Sequence, residues 1–488
     1  MNLQSAFYAA RSALSTNAAQ TALLSRNISS AGDATYSVRT LRTESLGEGG
    51  VRAVGVQRAA DAALQEAALS SVSVSAASQA ESDAIAKLAQ TIGDTQGGAS
   101  PTAQLAAFQT AMVTASGAPQ DASAVTGAIT AAKNLAASLQ GASATTQQTR
   151  ADADKAMANS VATINSLLSQ FDEANKAVVR GTASGSDVAD ALDQRGAILQ
   201  QLAQQIGVSA VSGRNGDVAL YTDSGVALYQ DGARSVSMAP TSTFTAGQTG
   251  RAVYVDGVAV TGASAAAPLQ SGALAGLARV RDVTAPAYQA QLDEVARGLI
   301  NASAQNDPAG VAPARTGLFT WSGGPALPGG MTRGLASDLS VDPAVDPARG
   351  GDWTALRDGG IGSATYKTNT TGAASYSDNL VAISNALNAA QTFDARTQLQ
   401  SAQSVASLAT ASASWISAAD KTASDTATQK ATVATQAASA LSAATGVNID
   451  DQMSRMLDME HSYQASAKIL SSIEQMYTAL FTAVPATP

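Results

Sequence analysis

Apolar residues return every three or four positions at both ends of the chain, and this period fades in the middle. Near the N-terminus Leu3, Phe7, Ala10, Leu14, Leu24 and Ile28 form one stripe, interrupted by Asn17 and Thr21. Such spacing puts side chains on one face of an α-helix, so residues 3–28 read as an amphipathic helix with a softened seam. The C-terminal stretch is cleaner. Met456, Met459, Tyr463, Leu470, Ile473, Tyr477 and Leu480 fall on a and d heptad positions, with Ser466 the polar exception and Ala467 beside it. Gly446 precedes this helix, Asn448 or Asp450 can cap it, and Pro485 lies just beyond its end.

More helix lies between the ends. Met157, Val161, Ile164, Leu168, Phe171 and Val178 repeat at 4-3-4 spacing, with Asn175 the polar break. Gly181 to Gly185 marks a turn, and Asp187 precedes a second stripe of Val188, Leu192, Leu199, Leu202 and Ile206. Further helical regions run over about 286–305 and 378–445. Heptad spacing throughout predicts long helices packed side by side. Around residue 208 the period changes. Asn215-Gly216-Asp217 leads into an alternating Val218 and Leu220, and Val253 to Val260 reads as two short strands around an Asp256-Gly257 turn. Residues 313–372 hold many glycines and prolines and read as turns. The pattern predicts a mainly α chain with an inserted β-rich domain. We divide it into a terminal coiled-coil domain (1–60 and 435–488), a helical bundle (61–207, 275–312 and 375–434) and a β-rich outer domain (208–274 and 313–374).

Composition sharpens this picture. Hydrophobic residues make up 45% of the 488, yet only 4% are aromatic and 14% charged. Alanine-rich helices with sparse charge pack closely, and so little charge suits a chain that covers much of its surface with other subunits. The net charge of −9 and the lack of any Lys/Arg run speak against nucleic acid and against an anionic membrane surface as partners. With no cysteine, disulfides, thiol catalysis and Cys-based metal sites are excluded. No basic and apolar leader resembling a cleaved signal peptide opens the sequence, and no stretch of about 18 apolar residues could span a bilayer.

Candidate chemistry is thin. His461 is the sole histidine and sits beside Glu460, where two sequential side chains on a helix diverge rather than meet. Asp342-Pro343 and Asp346-Pro347 could be paired carboxylates, but the proline spacing reads as a turn-rich connection. Gly359-Gly360-Ile361-Gly362 lacks the preceding strand and the Lys-Ser/Thr pair of a phosphate loop. No Ser-His-Asp set can be built and no calcium-loop spacing appears, so neither catalysis, cofactor nor metal is expected.

The two ends also carry a resemblance. Asn27-Ile28-Ser29-Ser30-Ala31 through Tyr36-Ser37-Val38-Arg39 resembles the Asn-Ile-Ala-Asn-Ala-Asn-Thr-Pro-Gly-Tyr-Ser-Arg stretch of flagellar rod, hook and hook-associated proteins, with Gly32-Asp33-Ala34-Thr35 in place of Asn-Thr-Pro-Gly. Gly446 to Asp451, then Tyr463 to Leu470 and Glu474-Gln475-Met476, is similar to the closing segment of the same axial family. Leu192-Asp193-Gln194-Arg195 resembles an internal Leu-Asp-Gln-Arg-Asp helix of its hook-associated protein 1 branch, with Gly196 at the last position.

That resemblance implies a structural subunit at the hook–filament junction of the bacterial flagellum, not an enzyme. Its terminal helices would pair and self-assemble with neighbouring copies into a homo-oligomeric ring, connecting hook to filament and serving motility. Leu3, Phe7, Leu14, Leu24 and Ile28 would pack inward with Met456, Met459, Tyr463, Leu470, Ile473, Tyr477 and Leu480. Asn27, Tyr36, Ser37, Arg39, Asp193, Gln194, Arg195 and Asn448 would be the motif residues. The implied partners are the hook protein, the second junction protein with the filament, and a cytoplasmic export chaperone on the C-terminal helix. The implied location is extracellular, reached through the flagellar type III export apparatus without a cleaved signal peptide. The alternatives are the second junction protein, another axial subunit, or a non-flagellar coiled-coil scaffold.

Overall fold

A computed structural model describes residues 3–46, 50–92 and 98–483. Twelve α-helices run through these residues: α1 (Leu3–Ser29), α2 (Ala62–Ala89), α3 (Pro101–Gly117), α4 (Ala122–Ser184), α5 (Ala189–Gln205), α6 (Ala273–Arg279), α7 (Ala285–Ala302), α8 (Leu335–Asp338), α9 (Thr354–Asp358), α10 (Asp378–Asn388), α11 (Val405–Thr445) and α12 (Ile449–Ala483). The strands are short: β1 (Arg39–Ser45), β2 (Val51–Arg58), β3 (Val208–Ser212), β4 (Val218–Thr222), β5 (Ala227–Tyr229), β6 (Val236–Ser237), β7 (Tyr254–Val255), β8 (Val258–Ala259), β9 (Phe319–Thr320), β10 (Ser340–Val341), β11 (Gln391–Thr392) and β12 (Ala402–Gln403). The chain is mainly α with long terminal helices and a small strand-containing insert.

Local chemistry sets several of these boundaries. Pro101 opens α3 and the Ser100 side chain accepts from Ala103 N at 3.3 Å. Asn448 caps α12, its Oδ1 accepting from Asp450 N at 3.0 Å and Asp451 N at 3.3 Å. The Asp256-Gly257 turn has φ of 49° and 81°, the doubly positive pair of a type I′ hairpin, and joins β7 to β8 as the sequence predicts.

Three readings need correction. The expected helix over 378–445 breaks after Asn388, where β11 and β12 pair antiparallel before α11 begins. Buried polar groups of α7 account for the break: Glu294 accepts from Asp394 N at 2.9 Å and Gln291 donates to Thr397 O at 2.9 Å. Those backbone groups are therefore taken from any helix. The turn expected at 181–185 starts later, since α4 continues to Ser184 and Gly185 supplies the positive φ of 72°. The stretch after α1, read as part of a coiled coil, forms an antiparallel β1–β2 hairpin instead. Its β-branched residues, Val51, Val54 and Val56, favour a strand. Pro485 lies outside the described residues.

The chain forms two compact units: residues 1–75, 163–236 and 430–488, and residues 76–162 and 237–429. In the first, α1 and α12 pair, the β1–β2 hairpin follows α1, and β3, β4 and β5 form an antiparallel sheet. Phe171 and Tyr229 meet edge to face at 5.0 Å, and Tyr229 Oη donates to Asp172 at 2.9 Å. The second unit has a continuous apolar core centred on α7, with Tyr288, Leu292, Val295 and Leu299 packed among residues of α3, α4, α10 and α11. Phe108 and Phe319 contact edge to face within it. The polar side of α7 is buried too, and each buried group is satisfied. Gln289 accepts from Ser143 and Gln147, and Asp293 accepts from Gly334 N and Ala336 N.

Candidate functional site

The terminal helix pair and the motif residues meet in the first unit. Asn17 Nδ2 donates to Ser462 Oγ at 2.9 Å, and Asn27 Nδ2 donates to Gln452 Oε1 at 2.8 Å. Moving ten residues forward along α1 moves ten residues back along α12, so the helices are antiparallel. Both asparagines are buried, Asn27 completely. A buried polar group in an apolar seam is tolerated in the register that pairs it and costly in any other. Asn17, which softens the sequence pattern, thus fixes the register.

Asn27 is also the centre of the motif. Its Oδ1 accepts from Tyr36 Oη at 2.8 Å and from Arg39 N at 3.2 Å, while its Nδ2 also donates to Arg39 O at 2.9 Å. The side chain therefore ties the end of α1, the following loop, the first residue of β1 and the first turn of α12. The Arg39 guanidinium lies over the Tyr36 ring at 4.6 Å. Arg39 is 2% exposed and pairs with Asp193 at 2.5 Å and Asp190 at 2.8 Å. Asp193 also takes Arg58 Nε at 2.6 Å, and Asp190 takes Arg26 at 2.7 Å.

The electrostatics follow from these pairs. Hydrogen bonds from Arg26 and then Arg39 hold the Asp190 carboxyl below the usual carboxylate range. Burial works against the Arg39 charge, but the bonds to Asp193 and Asp190 outweigh it and the guanidinium is held above its ordinary value. Burial pushes the Tyr36 hydroxyl up.

The remaining motif residues separate. Ser37 is buried, Arg195 donates to Asn175 Oδ1 at 2.9 Å and Gly216 O at 2.6 Å, Gln194 is exposed, and Asn448 caps α12. Asp190, Arg26, Arg58 and Gln452 belong to this cluster and were missed in the sequence. Asp190 stands three residues before Asp193, one helical turn away, and that spacing was the available signal.

Of the residues assigned to inner packing, Leu24 and Ile473 are buried. Leu3, Phe7, Leu14, Ile28, Met456, Met459, Leu470 and Tyr477 are half-buried. Tyr463 and Leu480 are exposed, at 50% and 57%. Beside them on α12 lie exposed Ile449, Met453, Leu457, Ile469, Met476 and Phe481. The pairing with α1 thus leaves much of the apolar surface of α12 uncovered.

The other sequence candidates have structural roles. Asp342 and Asp346 cap short turns, accepting from Ala344 N and Ala348 N, and Asp346 also pairs with Lys133 at 2.9 Å. Gly359 has φ of 76° and packs where a Cβ would meet Tyr366 O at 2.7 Å, so glycine serves the turn. His461 is exposed. Among the described residues no group of three or more His, Cys, Asp or Glu side chains could hold a metal ion, and no helix is long and apolar enough to cross a membrane.

Comparison with known proteins supports the same placement. The family model described as the flagellar hook-associated protein FlgK helical domain matches residues 85–314, and that of the flagellar basal body rod FlgEFG protein C-terminal matches residues 439–482. None of the curated protein sequences compared with the chain matches it. Among solved structures, the flagellar hook junction protein FlgK from Burkholderia pseudomallei is similar, with a TM-score of 0.55 at 16% identity, over 78% of this chain and 99% of that one. That likeness shows a shared fold. The helical-domain match over α3 to α7 and the rod-type match over α12 place in this chain, joined by the Asn27-centred contact between its termini, the domains of FlgK-type flagellar hook-associated proteins.

Proposed function

We propose that this structural subunit of the hook–filament junction assembles through its paired terminal helices, with neighbouring copies covering what α1 leaves bare on α12. The observation that carries this is the set of exposed apolar side chains on α12, from Ile449 to Phe481. Burying apolar area contributes about 25 cal/mol per Å², so a helix that keeps so many large apolar groups in water gains by being covered.

In this reading many copies close into a homo-oligomeric ring between hook and filament. Hook protein contacts one end, and the second junction protein and the filament the other. The protein works mechanically, not as an enzyme. It is extracellular and leaves the cell by the flagellar export route, with a cytoplasmic chaperone shielding the apolar C-terminal helix beforehand.

Deleting the gene tests the junction role. Electron microscopy should then show hooks without filaments, with flagellin shed into the medium. Normal, motile filaments would overturn it.

A further inference from the structure

The second unit contains a cavity of about 650 Å³ that the assembly reading does not use. Four segments wall it: α4 at Ser143, Ala144 and Gln147, the loop around Phe244, the turn at Trp321 and Ser322, and the segment from Thr332 through α8 to Asp338. Its size falls within the usual range for small-ligand sites.

Two of these walls are held from behind by charged groups that are themselves out of solvent. Arg150, 2% exposed, stacks on Phe244 at 4.7 Å and donates to Thr245 O at 3.1 Å and Gln248 O at 2.5 Å. Asp293, 1% exposed, accepts from Gly334 N at 2.8 Å and Ala336 N at 2.9 Å. Asp338 Oδ2 accepts from Ser322 N at 2.8 Å, tying the last two walls together. Burying ionisable groups to hold loops is costly, and here the outcome is a pre-shaped concavity.

Trp321 is the clearest sign of what would fit. Its Nε1 donates to Ala326 O at 2.9 Å, so the indole has no donor left. The far edge of the ring lies against Gly323, where any Cβ would sit 2.5 Å from Cζ2 and Cη2. The ring is therefore fixed in place, half-exposed, and offers only its apolar surface. Around it stand Asp338, whose Oδ1 accepts no hydrogen bond among the described residues, the exposed guanidinium of Arg333, and the Ser322 and Ser337 hydroxyls. A flat apolar surface ringed by balanced charge and hydroxyls matches a ring with apolar C–H faces and equatorial hydroxyls.

We infer that this cavity binds neutral saccharide, with one sugar ring stacked on Trp321 and its hydroxyls bonded to Asp338 and Arg333. Opposite charges flanking α8 favour an uncharged ligand over an acidic one. The site is a binding site without chemistry, since it holds no pair of carboxylates flanking the ring position.

Saturation-transfer NMR and tryptophan fluorescence on the full chain test this, with cellotriose, chitotriose and sialyllactose as probes. A neutral trisaccharide should bind saturably in the millimolar range. Trp321→Ala should weaken it by at least about tenfold, Trp321→Phe should keep most of it, Asp338→Asn should weaken it, and Arg333→Gln should weaken it with an unchanged melting temperature. If Trp321→Ala does not fold, the Asp338→Asn and Arg333→Gln variants carry the test. No transfer to either neutral sugar, binding of sialyllactose alone, or equal binding by the wild type and these variants would overturn the inference. None of these readouts depends on assembly, so the junction role stands or falls separately.

Discussion

Helices α7 and α12 are both long, both amphipathic in sequence, and opposite in use. Fifteen of the eighteen residues of α7 are buried, including four polar ones with satisfied partners. Of the 35 residues of α12 only Gln452 and Ile473 are buried among those described, and the other large apolar groups stay half or fully exposed. An apolar stripe alone thus says that a helix will be covered, but not by what. The polar positions carry the difference. On α7 they are Gln289, Gln291, Asp293 and Glu294, each with a partner from another segment of its unit. On α12 only Gln452 and Ser462 reach across, both to α1.

The largest effects should come from buried groups, one in each unit. Asp193→Ala leaves Arg39 out of solvent with a weakened partner set, and should cost about 3 kcal/mol in chemical denaturation. An effect below about 1 kcal/mol would mean that Asp190 alone suffices. Next, Leu299→Ala in α7 should cost about 2–5 kcal/mol, because the residue is fully buried and the core around it is closed.

Asp293 gives a pH-dependent version of the same contrast. Burial pushes its carboxyl up to about 6, against hydrogen bonds that favour the charged form. The folded state therefore holds a proton that the unfolded chain releases near 4. This contribution is greatest below pH 4 and is lost as pH rises toward 6, by an amount on the order of 3 kcal/mol. The stability difference between wild type and Asp293→Asn should fall across that window, and a flat difference would contradict it.

The smallest change in monomer stability should come from α12. Leu470→Ala should cost the monomer less than about 1 kcal/mol yet block incorporation into flagella, scored by rescue of a deletion strain. Equal loss of stability and incorporation would count against the assembly role. Hydrogen exchange on the dilute monomer sharpens the contrast: amides of residues 456–480 should exchange far faster than those of α7.

The helical framework was legible because its period was regular. Residues 157–178 lie in α4, the stripe over 188–206 gives α5 (Ala189–Gln205) and the region read as about 286–305 gives α7 (Ala285–Ala302), and the Asp256-Gly257 hairpin follows from residue types that accept positive φ. The β11–β12 break was not legible, because its cause is Glu294 and Gln291 on a helix about a hundred residues away. The site was half legible. The Asn27, Tyr36, Arg39 and Asp193 positions come together, whereas Gln452 joins them only through the antiparallel pairing of two distant ends and Arg58 through the β1–β2 register that sets it opposite Arg39. Exposure of Tyr463 and Leu480 could not be read from heptads, which are silent about which neighbour covers a seam.

The pins between α1 and α12 also govern time. Asn17 and Ser462 are 445 residues apart in sequence, and Asn27 and Gln452 are 425. During synthesis or threading through a channel from either end, α1 and α12 cannot be present together until nearly the whole chain has passed. Contacts of such long separation form late and slowly. The surface made by the joined ends therefore comes into being last, and an unfinished chain lacks it.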